Sequence, residues 1–300
     1  MSPLSGILPY TRSIFLATIL FSGSLGHLWA QPDTEVFLAR LAREDGRYVL
    51  QEATNISGNP GYDNQPFFLA DSPELLYART RNGQTDIARY NFITGSLQWL
   101  SDTPGGGEYS PMPIPDSDAV AAIRLDTTGL QRLYRYQNGG QQVVMEELKI
   151  GYQVWTGPDL LVCTVLREDG MDLVVARPSD QSAYTYQKGV GRSLARIPGS
   201  PLVSYSSVED GQTWLRSMDP NSGATERIVP LPEGVQDIAW LPDGSLICGG
   251  TNELLRLRPG TDSTWQPWHR FGGEVGRITR LAVRENGGYL AMVAQKPEAP

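Results

Sequence analysis

Asn55–Leu100 reads NISGNPGYDNQPFFLADSPELLYARTRNGQTDIARYNFITGSLQWL. It holds four short strand-like runs: QPFFL (65–69), LLYART (75–80), DIARYNF (86–92) and SLQWL (96–100). The breaks between them, DSPE, RNGQT and ITG, carry turn residues. Asn82-Gly83 between two such runs signals a tight hairpin, because the primed turn requires positive φ at both central positions. Four short antiparallel strands that recur along a chain describe a propeller blade.

The unit recurs. Tyr62, Tyr109, Tyr152, Arg192, Gln236 and Arg277 mark equivalent blade starts, at successive spacings of 47, 43, 40, 44 and 41 residues. This is the period of a four-stranded blade. Second strands follow at LLYART (75–80), AVAAIRL (119–125), LLVCTVL (160–166), PLVSYSS (201–207), SLICGGT (245–251) and YLAMVAQ (289–295). Hairpin turns are expected at Asn82-Gly83, Thr128-Gly129, Asp169-Gly170 and Asp210-Gly211. The sixth repeat stops after two strands, and EVFLARLA (35–42) and YVLQEAT (48–54) supply the missing pair. The expected fold is all-β: a six-bladed β-propeller of four-stranded blades, closed by N-terminal strands that complete the last blade. Closure of this kind removes exposed sheet edges.

The chain has 300 residues, 40% hydrophobic and 19% charged, enough for one large β domain. A net charge of −8 argues against a polybasic surface for nucleic acid or anionic lipid. Met1–Ala30 stands apart: one charge, Arg12, then the apolar run Ile14–Phe21, then small residues up to Leu28-Trp29-Ala30. This order predicts a signal peptide over residues 1–30, cleaved near Ala30-Gln31, with a propeller domain over 31–296. The apolar run is short for a bilayer span, so no membrane span is expected after cleavage. No Cys follows it to take a lipid. A periplasmic or secreted location follows. Asn55-Ile56-Ser57 fits the N-glycosylation pattern, which is frequent by chance.

Trp240–Gly244 (WLPDG) followed by SLICGG resembles the WD40-like repeat of TolB-type propellers: a hydrophobic residue, then Ser/Ala-Pro-Asp-Gly, then a strand. Phe68–Tyr77 is a looser copy, and Arg81–Ile87 resembles the family's hairpin and following strand. The likeness covers about residues 35–295 and the propeller only; TolB's N-terminal domain is expected to have no counterpart. The resemblance implies a six-bladed propeller that is exported and serves as a protein-interaction platform.

Catalytic chemistry is sparse. His27 falls in the leader, which leaves His269 between aromatics in an outer strand. No Gly-x-Ser-x-Gly elbow is present. No catalytic residue, metal ligand set or cofactor is expected. Cys163 and Cys248 share a repeat position with Ala78, Ala122 and Ser204, where a small side chain is wanted; two blades separate them, too far for a disulfide. Ser207–Trp214 (SVEDGQTW) nearly matches the Asp-box of sialidase-like propellers, with Glu209 at the Asp position. A sialidase needs an arginine cluster at one rim, and Arg79, Arg81, Arg124 and Arg167 lie along second strands and turns instead.

The loops at the blade starts are expected to converge on one channel mouth. The candidate binding residues there are Tyr62, Asp63, Glu108, Tyr109, Tyr152, Arg192, Gln236, Asp237 and Arg277. Their aromatic and arginine content suits an envelope protein or peptide. The alternative is a glycan-binding or glycan-processing, sialidase-like propeller that uses the same mouth.

Overall fold

The structure, a computed structural model, describes residues 32–297. The expected signal peptide, residues 1–30, lies outside them. Among the described residues there are strands and turns but no helix. Strand β1 (Thr34–Glu44) and β2 (Arg47–Asn55) come first. Blade one follows as β3 (Asn64–Phe68), β4 (Glu74–Arg81), β5 (Gln84–Asn91) and β6 (Leu97–Trp99). Blade two is β7 (Gly106–Pro113), β8 (Val120–Asp126), β9 (Gln131–Gln137) and β10 (Gly140–Val143). Blade three is β11 (Ile150–Gly157), β12 (Leu160–Arg167), β13 (Gly170–Arg177) and β14 (Ser182–Lys188). Blade four is β15 (Val190–Arg196), β16 (Val203–Glu209), β17 (Gln212–Met218) and β18 (Thr225–Pro230). Blade five is β19 (Ile238–Trp240), β20 (Leu246–Gly249), β21 (Glu253–Leu257) and β22 (Gln266–Arg270). The last two strands are β23 (Ile278–Val283) and β24 (Gly288–Gln295).

The sixth blade has the order β2-β1-β24-β23, so the two ends of the propeller share one sheet. The register of β1 on β24 runs from Thr34 opposite Gln295 to Leu41 opposite Gly288. The expected closure is therefore present, and the fold is a six-bladed β-propeller.

Burial grades outward within a blade. Second strands face a neighbouring blade on both sides, so LLVCTVL in β12 is a nearly continuous apolar run, buried through Val165. The outer strand β14 is largely exposed and rich in polar residues. Six apolar clusters fill the six junctions between neighbouring blades. The junction of blades six and one, for example, holds Val36, Phe68, Leu75, Tyr77, Ala291 and Val293. Ala78, Ala122, Cys163, Ser204 and Cys248 are all buried, as a shared small-residue position requires.

Hairpin chemistry explains most of the connections. Asn82 and Gly83 have φ of 51° and 77°, the primed turn expected of them, and Arg81 pairs with Gln84 across it. Asp210-Gly211 behaves alike, with φ of 51° and 80°. Asn138-Gly139 forms a further such turn, at 52° and 74°, between a third and an outer strand. Two expected turns differ in detail. At Asp169-Gly170 the loop is Glu168-Asp169, and Gly170 already pairs with Arg167. At Thr128-Gly129 the loop is longer, because the Asp126 carboxylate accepts from the Thr128 and Leu130 amides and holds it open.

Candidate functional site

The innermost strands β3, β7, β11, β15, β19 and β23 each begin on the same side of the ring. Two cavities are lined by them. One, of about 800 Å³, opens at the blade starts; the other, of about 1230 Å³, opens at the opposite end. Gln65, Tyr152, Arg192, Asp237, Arg280 and Leu281 line both, so they form the waist between the two.

The waist is charged and poorly solvated. Arg280 Nη1 stands 3.7 Å from the Asp237 carboxylate, and the two side chains are only 12% and 14% exposed. The Arg280 guanidinium also lies 5.3 Å from the centre of the Tyr152 ring. Burial is the largest influence on the Arg280 pKa and works to lower it, but Asp237, Tyr62 and Tyr152 together outweigh it and hold the group above its ordinary value. Burial raises Asp237, against the pull of Arg280 and Arg192. Arg192 Nη2 donates to the Thr279 carbonyl at 2.8 Å. Burial, and then the neighbouring Arg280 charge, lower the Arg192 pKa. Burial pushes the Tyr62 phenol up to about 12, against the pull of Arg280 and Arg192, so it stays a neutral hydrogen-bonding group at neutral pH.

The expected residues separate into three groups. Tyr62, Tyr152, Arg192 and Asp237 line the blade-start cavity, as do Gln236 and Arg277 on its exposed rim. Arg277 Nη2 reaches the Gly234 carbonyl at 3.3 Å, which joins two rim loops. Tyr109 packs edge-on against Tyr62, with ring centres 5.9 Å apart, and lies behind the lining. Its hydroxyl folds back over Gly107, where a Cβ would sit 2.6 Å away, so that glycine makes room for the ring.

Asp63 and Glu108 do not face the mouth as expected of them. Asp63 is fully buried; its Oδ1 accepts from Thr80 N and Asn59 Nδ2, both at 3.1 Å. Burial pushes it up to about 6. Glu108 is also fully buried and accepts from Tyr136 Oη at 3.2 Å. Burial pushes it up to about 6 as well, Thr103 opposing and Asp86 adding. Asp63 lies between the lining residues Tyr62 and Asn64, and side chains alternate along an extended chain, so it points away from the cavity.

Several lining residues escaped the sequence reading. Arg280 is the chief one, three positions beyond the last blade mark. Gln65 and Gln153, at the ends of blade-start loops, line cavities too without being among the named binding residues. Ser110 N donates to Gln65 Oε1, and Gln153 Nε2 donates to the Ser110 carbonyl, each at 2.9 Å. This relay ties blades one, two and three around the axis. Gln65 and Ser110 carry φ of 56° and 51°, each at a bulge in its inner strand. The larger opposite cavity was also unforeseen; Pro66, Pro111, Pro113, Trp155 and Trp240 contribute to its lining.

The remaining motifs have structural partners. Cys163 packs at the junction of blades two and three and Cys248 at that of blades four and five, both free. His269 of β22 meets Phe271 edge-on, with ring centres 4.6 Å apart. In the Asp-box-like hairpin, Glu209 accepts from Ser207, Arg216 and Arg227, and Arg227 lies over the Trp214 ring at 4.8 Å. Arg81 and Arg167 pair with Asp86 and Asp172 within their own blades. Among the described residues no group of three or more His, Cys, Asp or Glu side chains is placed to hold a metal ion. Nor is any helix among them long and apolar enough to cross a membrane.

No protein-family model and no curated protein matches the sequence. Solved structures do match the fold. A putative TolB from Agrobacterium tumefaciens is 12% identical with a TM-score of 0.67, covering 89% of this chain and 99% of that one. An oligogalacturonate lyase from Vibrio parahaemolyticus is 11% identical with a TM-score of 0.59, covering 88% and 98%. A gluconolactonase from Xanthomonas campestris is 12% identical with a TM-score of 0.59, covering 88% and 96%. At this identity the likeness concerns architecture, and in architecture the chain is a six-bladed propeller similar to TolB-like structures.

Proposed function

We propose that the protein is an exported, non-catalytic propeller that binds a protein or peptide of the bacterial cell envelope at its blade-start mouth. One observation carries the reading: loops of separate blades bring Tyr62, Tyr152, Arg192, Gln236 and Arg277 to a single open cavity. Aromatic and arginine side chains at a concave, partly desolvated surface are the residues that dominate protein contacts. The leader-like order of residues 1–30 supports export, and the TolB-like architecture supports a platform. The test is a rim variant, Gln236→Arg with Arg277→Glu, which changes exposed side chains only. Partner affinity is expected to fall at least tenfold; unchanged binding of every partner overturns the reading.

A second reading, glycan binding or processing at the same mouth, is favoured by the pair Arg192 and Arg280 at the waist and by neighbours named for sugar chemistry. It predicts thermal stabilisation by envelope glycans at millimolar concentration.

A further inference from the structure

Arg192, Asp237 and Arg280 come from blades four, five and six and meet at the waist. Two guanidiniums face one carboxylate there. Arg280 is the one that Asp237 offsets, at 3.7 Å. Arg192 has a neutral partner, the Thr279 carbonyl, through Nη2, and its buried Nε has no hydrogen-bond partner among the described residues. A half-buried guanidinium that shares its one nearby carboxylate with a second arginine is under-compensated, and a site that keeps one invites an anion. The deficit is a single negative charge. The Tyr62 and Tyr152 side chains line the same cavity beside it. That cavity, about 800 Å³, has the size of a small-molecule site.

We infer that the waist binds a monoanionic carboxylate, held by Arg192 with Arg280 and the phenols of Tyr62 and Tyr152 beside it. A guanidinium presents parallel N–H donors that match the two oxygens of a carboxylate. A dianionic phosphate over-compensates the charge. The inference concerns the chemistry of the ligand and does not rest on the platform reading. A free acid sugar and the C-terminus of a peptide both offer this group.

Isothermal titration of the purified protein separates the sources. Glucuronate is compared with glucose, and the tripeptide Ac-Ala-Ala-Ala carboxylate with its amide. At least one carboxylate is expected to bind at least tenfold more tightly than its neutral counterpart, and whichever binds names the source. Arg192→Gln is expected to abolish that difference, while Arg40→Gln, an exposed arginine of β1 away from both cavities, retains it. Equal binding of the charged and neutral members of both pairs, or no binding of any, overturns the inference. So does a carboxylate preference that survives in Arg192→Gln. The wild-type comparison needs no variant, and the rim substitutions that test the platform reading leave the waist intact.

Discussion

Arg192 Nη2 donates a 2.8 Å hydrogen bond to the carbonyl of Thr279, so blade four touches blade six past blade five. The contact crosses the waist, where the inner strands stand closest to the axis. Its cost and benefit oppose each other. The hydrogen bond contributes roughly 1 kcal/mol, while partly burying a charge that shares Asp237 with Arg280 costs a similar order. Arg192→Gln is therefore expected to unfold in urea within about 1 kcal/mol of the wild type. Arg280→Gln differs, because it removes the ion-pair partner of the Asp237 carboxylate and leaves only the more weakly acting Arg192; a loss of about 3 kcal/mol is expected. Equal losses in the two variants would show that Arg280 and Asp237 are not an energetic pair.

Asp63 makes stability depend on pH in an unusual direction. In the folded protein its carboxyl titrates at about 6, against an ordinary 3.8. Between these values the folded state binds more protons than the unfolded one. Stability contributed by this group is thus present near pH 4 and lost as pH rises through 6. Asp63→Asn removes the dependence and keeps an oxygen to accept from Thr80 and Asn59. Relative to wild type, the variant is expected to gain up to about 2 kcal/mol between pH 4 and pH 7.5. Denaturant midpoints at the two pH values measure this, and a constant difference contradicts it.

Two glycines separate backbone strain from sterics. A Cβ at Gly83 or at Gly273 meets nothing within 4 Å, but only Gly83 has a left-handed φ, at 77°. Gly83→Ala is expected to cost about 1 kcal/mol. Gly273→Ala should stay within about 0.5 kcal/mol of the wild type. Thermal unfolding of the pair decides whether the primed turn of the first hairpin is stored in its glycine.

Cys163 and Cys248 are fully buried, and burial pushes both thiols up to about 12. Neither should react with an aromatic disulfide reagent in the folded protein, and both should react in denaturant. Cys248→Ala removes little volume, whereas Cys248→Leu overfills the junction of blades four and five and is expected to cost about 1–3 kcal/mol. Fast labelling of a native thiol contradicts the packing described.

The architecture was legible because it rests on local chemistry repeated many times. Asn82-Gly83 and Asp210-Gly211 announce their turns, and the shared small position of Ala78, Cys163 and Cys248 announces the tight junctions. The site was legible only in part. The blade marks found Tyr62, Tyr152, Arg192 and Asp237, which do line the cavity. They missed Arg280 and misdirected Asp63 and Glu108. Asp63 sits between the lining residues Tyr62 and Asn64 and alternates away from the cavity, whereas the inner strands bulge between Asn64 and Phe67, Tyr109 and Met112, and Ile278 and Arg280, the last at the missed Arg280 itself. Each bulge reverses which alternate residue faces the axis, and no periodic count carries across it. The link from Gln65 through Ser110 to Gln153 joins residues more than forty positions apart, and no local signal encodes it.

The claim that the mouth is a platform is tested most directly by cross-linked capture from native envelope with the tagged protein, wild type and the Gln236→Arg, Arg277→Glu variant in parallel. One dominant envelope protein is expected with the wild type and is lost with the variant, both proteins remaining folded by circular dichroism. No protein above background, or undiminished capture by the variant, would contradict it.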